Sequence, residues 1–257
     1  MVASRTEPLI SGPEMFCRFA LPPNVLGYCG PSDLGLDGEL LRGGSLALAE
    51  MRHTATAFAG AWPYLKLISS FTGGDPLDYD VVEAYWLGNS LLKRIDLQTM
   101  GNSVSDRFQA QAGPEWPMIA HSLGSQARPS HSFHVFCVYP WVGLLRSGAV
   151  DQALHVLDRC RIRWGRVLAE DDGALVVSTR LLTWDGRSLG IGQEATETVQ
   201  APIDTQAIRV GDQVAMHWGY ACQRITASQR RHLERYQALH MGLANETGRR
   251  LALRVEG

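Results

Sequence analysis

The chain has only two lysines, Lys66 and Lys93, and it lacks a CxxC pair, a Walker loop, a GxGxxG fingerprint and a GxSxG elbow. Each absence removes a class of protein. Without a glycine-rich phosphate cradle, neither a P-loop nor a dinucleotide-binding unit has support. Without the elbow, an α/β-hydrolase nucleophile has none. The five cysteines, Cys17, Cys29, Cys137, Cys160 and Cys222, are odd in number and widely spaced. That pattern excludes a zinc ribbon and a thioredoxin motif, and it fits reduced thiols in a cytoplasmic protein. The formal net charge is −2, so the basic face of a nucleic-acid binder is missing. No apolar run reaches the ~20 residues of a membrane helix. The opening MVASRTEPLISGPEM has no long apolar stretch of the signal-peptide kind. Neither nucleic acid nor membrane is expected as a partner.

What is present suffices for a core. The chain is 257 residues long and 45% hydrophobic, enough for one large domain or two small ones. Residues 1–35 are rich in Pro and Gly and read as irregular and extended. From Gly38 to Ser70 the apolar residues fall at helical spacing. Pro76 opens a further helix, with Val82, Tyr85, Trp86 and Leu92 on its apolar side and Asp78 and Asp80 at its start. Residues 100–130 read as a loop with a short helix. Phe133 to Leu145 is dense enough in apolar residues to be buried, and Asp151 to Arg159 reads as an amphipathic helix. After residue 158 the period changes to two. DDG and WDG interrupt the alternation as hairpin turns. A polar helix follows Thr226, with Thr226 or Ser228 as its cap. The expected fold class is α+β: a mainly helical domain over 1–158, then a small β-barrel with a C-terminal helix over 159–257.

Several residues are candidates for chemistry. His131 and His134, in SHSFH, meet on one face if the segment is helical and point apart if it is a strand. As metal ligands they have His121 as a further imidazole; as core residues they join an aromatic cluster. Cys29, in GYCGP, lies between glycines that allow close approach of a ligand. It is a candidate catalytic nucleophile with His131, a further ligand beside Cys160, or a small side chain in a tight turn. Cys17 and Cys137, each next to Phe, read as core. The Trp and Tyr residues of the helical part read as aromatic core or as the lining of a cofactor pocket. Asp171, Asp172 and Asp185 read as turn residues.

Two segments carry a resemblance. CRIRWGRV, with Cys160 and Gly165, is similar to the opening of the HypC/HupF-type hydrogenase maturation chaperones. VGDQVAMHWGYACQRIT, with Val210, Gly211, Asp212, His217, Gly219, Tyr220 and Ala221, resembles that family's second signature. The match covers roughly residues 159–240. The whole chain is also similar to actinobacterial proteins associated with uptake hydrogenases, through GYCGP and SFHVFxVYPW.

The resemblance implies a HypC-like, OB-like barrel. It also implies iron carrying cyanide and carbon monoxide ligands, held by Cys160 with His217 and Gly219 beside it. The partners it implies are the [NiFe] hydrogenase large subunit or a maturation scaffold. Cys160 is internal here, whereas the family's cysteine stands at the mature N-terminus. Trp164 stands where the family has proline, and Cys222 where it has an aliphatic residue. Two alternatives stay open. One is a metal- or thiol-dependent small-molecule enzyme using Cys29, His131 and His134. The other is a metal-free protein-binding adaptor.

Overall fold

The computed structural model describes residues 10–32, 47–95, 126–138, 145, 148, 150–201 and 208–255. His121, Tyr139 and Trp141 lie outside the described residues. The fold is α+β, with seven α-helices and one five-stranded mixed sheet among the described residues.

The proline-rich opening, expected to be irregular, contains helix α1 (Gly12–Val25). Ser11 caps it, its hydroxyl accepting the Glu14 N–H at 3.3 Å. Pro13 falls in the first turn, where a missing N–H costs nothing. Met15, Phe16 and Phe19 are wholly buried, and that burial outweighs the unfavourable Pro22 and Pro23 in the last turns. Pro23 has no N–H to give to Phe19, its i−4 carbonyl.

Helices α2 (Leu48–Ala57) and α4 (Tyr79–Trp86) pack on α1, and α3 (Trp62–Thr72) packs on α4 and α2. Val82, Tyr85, Trp86 and Leu92, the apolar side read from the sequence, are all buried. Ser130 to Val138 forms a single α turn, α5 (His131–Phe133), that continues as a π-helical turn over His134–Val138. Helix α6 (Val150–Cys160) then runs directly to the sheet.

The strands are β1 (Arg163–Asp171), β2 (Ala174–Trp184), β3 (Leu189–Gln200), β4 (Gln213–His217) and β5 (Tyr220–Arg224). Their order is β1-β2-β3-β5-β4, and β4 pairs back onto β1 through Arg163 opposite Met216. The ring of pairings includes one parallel contact, Gln200 opposite Tyr220. Asp172 and Gly173, both at positive φ, make the turn read from DDG. Gly165 admits no side chain, because a Cβ would strike Val177 and the Ser178 carbonyl across the β1–β2 pair. Helix α7 (Ala227–Val255) closes the chain. Its start is a capping box in which the Gln229 N–H donates to the Thr226 hydroxyl and the Gln229 side chain accepts the Thr226 N–H.

Alternation along the strands divides the buried residues. Val167, Leu175, Val177, Val199, Val214, Met216 and Ala221 pack together inside the sheet. Ala215 and Cys222 face the other way and join the large core formed with the helices. That core runs through residues on both sides of position 158, from Met15 to Ala244. His217 shares the parity of Ala215, so its ring points into the helical layer.

Candidate metal centre

Three residues from three elements converge where β4, α5 and α6 meet: His131, Cys160 and His217. One ligand atom from each lies within 4.8 Å of the others. Their positions follow from local structure. Cys160 is the last residue of α6. His131 opens the α5 turn. His217 ends β4, just before a two-residue hairpin whose central residues, Trp218 (φ 51°) and Gly219 (φ 82°), both have positive φ. His217 and Tyr220 stand opposite each other across it, as in a type I′ turn.

A tryptophan at positive φ is strained, by about 1–3 kcal/mol. Trp218 is held there from two sides. Its N–H donates to the Arg159 carbonyl at 3.1 Å, and Tyr28 stacks on its indole at a centroid distance of 3.9 Å. A Cβ on Gly219 would meet the Arg159 guanidinium at 2.8 Å. Gly219 therefore shapes the turn beside the cluster, and its carbonyl accepts the Gln200 N–H at 2.8 Å.

The hydrogen bonds fix the histidine tautomers. His217 Nδ1 lies 2.7 Å from the Phe19 carbonyl. A carbonyl only accepts, so Nδ1 carries the proton. This is the carbonyl that Pro23 leaves without an amide partner. His217 Nε2 is then a buried lone pair that no donor satisfies; the Cys160 backbone, which also acts on this ring, offers a carbonyl and not a proton. His131 Nε2 donates to the Cys160 carbonyl at 2.8 Å, and its Nδ1 faces the Tyr85 hydroxyl at 3.5 Å. The two imidazoles meet edge to face, 5.1 Å apart. Trp86 packs on both, and its indole N–H has no partner.

Burial controls the protonation states. It lowers the pKa of His131 to about 4, with the Cys160 carbonyl opposing. It lowers His217 to about 3, helped by His131. Both rings are neutral at pH 7, the form that binds metals. Burial pushes the Cys160 thiol up, and Cys29 adds to the rise. The Trp218 indole N–H favours the Cys160 thiolate, although it makes no regular hydrogen bond. Two neutral imidazoles and one sulfur, with the His217 lone pair unsatisfied, form a donor set that can hold a metal ion; to join it, His131 exchanges one of its two bonds, to the Cys160 carbonyl or to the Tyr85 hydroxyl, for the ion. The Phe19 carbonyl behind His217 is the kind of outer partner that orients a ligating imidazole.

The other candidates have different surroundings. His134 lies on the same helical turn as His131, but its Nδ1 meets the Tyr64 hydroxyl at 3.1 Å, outside the group of three. Cys29 is half-buried on the loop after α1, with its thiol raised by burial. Cys17, Cys137 and Cys222 are core thiols, as the first two were expected to be. Asp172 and Asp185 occupy turns, Asp185 accepting the N–H groups of Arg187 and Ser188. His240, not singled out in the sequence, is buried beside Ser132. Its Nε2 accepts the Arg128 N–H, so its Nδ1 donates to the Ser132 hydroxyl at 2.7 Å. That direction rules it out as a base for Ser132. Gly219 was the one local signal of this hairpin, since a tryptophan before it is not among the residues that mark two-residue loops.

Four buried neutral histidines make the fold acid-sensitive. His134 and His240, like His217, are lowered to about 3 by burial. The native rings stay neutral while the unfolded chain takes up protons below its ordinary value near 6.5. Stability is therefore complete above pH 6.5 and is lost as the pH falls from there towards 3. Each histidine removes about 1 kcal/mol per pH unit across that window. Denaturant midpoints at pH 7, 6 and 5 should fall progressively; a flat profile would contradict the assigned neutral states.

Among the described residues, no helix is long and apolar enough to cross a membrane. No curated protein matches the chain, and no solved structure does. Residues 8–251 match DUF6390, a family of unknown function, and the chain belongs to that family.

Proposed function

We propose that this protein is a metal-handling accessory factor of [NiFe] hydrogenase maturation, holding iron as cargo on Cys160, His131 and His217. The observation that carries the reading is the His217 Nε2 lone pair, buried and unpartnered, within one small cluster with Cys160 and His131. The resemblance of CRIRWGRV and VGDQVAMHWGYA to the HypC/HupF chaperones supports iron as the metal and a small barrel of that type as the scaffold. A thiolate suits low-spin iron with cyanide and carbon monoxide ligands. The buried imidazoles support a holding role over a catalytic one, since a histidine lowered to about 3 or 4 is a poor base at neutral pH. The hydrogenase large subunit or a maturation scaffold is the partner this reading assigns.

The test is purification without oxygen after co-expression with the maturation scaffold, followed by metal analysis and infrared spectroscopy. Iron with bands in the cyanide and carbon monoxide region is expected, and Cys160→Ala should lose both. Metal retained in the variant would move the site elsewhere. A metal-free wild-type protein would favour an adaptor, a reading that draws on the exposed Leu168, Leu181 and Ile191 of β1–β3.

A further inference from the structure

We infer that the indole N–H of Trp86 positions a small anion on the metal, in the coordination place that His131, Cys160 and His217 leave open. The inference rests on the metal reading of those three residues and assigns what the fourth place takes. Three protein donors leave one position of a tetrahedral ion for an outside ligand. Trp86 is the last residue of α4 and is 5% exposed. Its ring lies 4.7 Å from that of His131 and 5.7 Å from that of His217, centroid to centroid. Phe19 holds both sides of the second contact. Its ring stacks on Trp86 at 5.4 Å, and its carbonyl accepts the His217 Nδ1 proton at 2.7 Å. Phe16 and Tyr85 also pack on the indole, at 5.8 and 4.8 Å. The ring therefore cannot reorient without repacking the core.

Two buried polar atoms are left over on these neighbouring rings, and they are of opposite kind. Among the described residues, the Trp86 N–H has no acceptor and His217 Nε2 has no donor. An indole nitrogen only donates, and this imidazole nitrogen only accepts. The two do not bond each other, so each bears the penalty of a buried group unpaired. A metal ion with an anion on it satisfies both. The ion takes the His217 lone pair, and the anion takes the Trp86 proton. The class of ligand follows from the donor. It is a small anion that keeps a lone pair directed away from the metal, as hydroxide, azide and the cyanide of the proposed cargo do. A charged acceptor bonds an N–H about twice as strongly as a neutral one, so Trp86 favours an anion over a neutral diatomic in this place.

The test loads cobalt(II) into the full chain without oxygen and then titrates azide, following the visible absorption of the cobalt. The wild-type protein should form an azide adduct. Trp86→Phe keeps a ring and loses the N–H. It should retain cobalt and bind azide about tenfold more weakly, the worth of a hydrogen bond to a charged group. If that variant does not fold, benzothienylalanine at position 86, which has the shape of tryptophan with sulfur in place of the N–H, gives the same comparison. Equal azide affinity with and without the N–H would overturn the role of Trp86. A folded variant that no longer takes up cobalt would overturn it as well, because the indole would then act on the centre itself. Cobalt uptake without an azide adduct in the wild type would overturn the open place and leave the centre standing. No cobalt uptake by the wild-type chain would overturn both, and would leave the two unpaired atoms to a buried water.

Discussion

Exchange of His217 for alanine should lower the affinity for a divalent ion such as cobalt by two orders of magnitude or more at pH 7. Loss of an outer-shell partner alone costs about 10–100-fold, and His217 supplies a ligand atom directly. The variant should also destabilise the ion-free protein by about 2–4 kcal/mol. It removes a fully buried ring and leaves the Phe19 carbonyl without a donor, because Pro23 cannot supply one. The control is His240→Ala. His240 is as deeply buried, as neutral, and bonded to Ser132 and the Arg128 amide. It should lose comparable stability and keep the wild-type ion affinity. Equal loss of affinity in both variants would mean that His217 acts only through the fold.

Arg161→Ala should be the most destabilising single change outside the centre. Arg161 is 1% exposed and fully engaged. Its Nε and Nη2 bond Asp158 Oδ1 at 3.0 and 2.9 Å, Nη1 donates to Gln237 at 2.9 Å, and Nη2 donates to the Arg180 carbonyl at 2.6 Å. One side chain thus joins α6, β2 and α7. Removing one partner of a buried pair costs about 3–5 kcal/mol, which lowers the melting temperature by on the order of 10 °C in a chain of this size. The loss is moderated because Asp158 keeps the Leu182 N–H at 2.8 Å and Arg163 at 3.5 Å. Arg161→Met combined with Asp158→Asn should recover part of the stability, since no unpaired carboxylate is left, the amide oxygen still accepts the Leu182 N–H, and Arg163 keeps Glu197 at 2.7 Å. A double variant no more stable than Arg161→Ala would mean that the links to Gln237 and Arg180 matter more than the ion pair.

How much of this was legible in the sequence depended on whether the signal was local. The helix expected over Asp151–Arg159 spans Val150–Cys160, and the DDG turn lies where it was read. Both follow from short-range patterns. Helix α1 was obscured because Pro22 and Pro23 are counted as breakers, whereas burial of Met15, Phe16 and Phe19 decides the outcome. The β4–β5 hairpin has no strong local signal, because its first turn residue is a tryptophan, an unusual residue at positive φ. The grouping of His131 with Cys160 and His217 has no spacing signature, since it depends on which faces of α5, α6 and β4 meet. The near neighbour His134 looked like the natural partner of His131, yet a π-helical turn begins at His134 and its ring is committed to Tyr64.

The bond between His217 and Phe19 spans 198 positions of sequence. Contacts of such separation require closure of a very long loop and form late in folding. A nascent chain therefore has no centre until strand β4 has been made, the sheet has closed and helix α1 has docked. An ion that binds the group of three would, by mass action, favour the finished molecule over every partly folded form. At 100 times its dissociation constant it would add about 2.7 kcal/mol to the native state. Occupancy would then report that folding is complete.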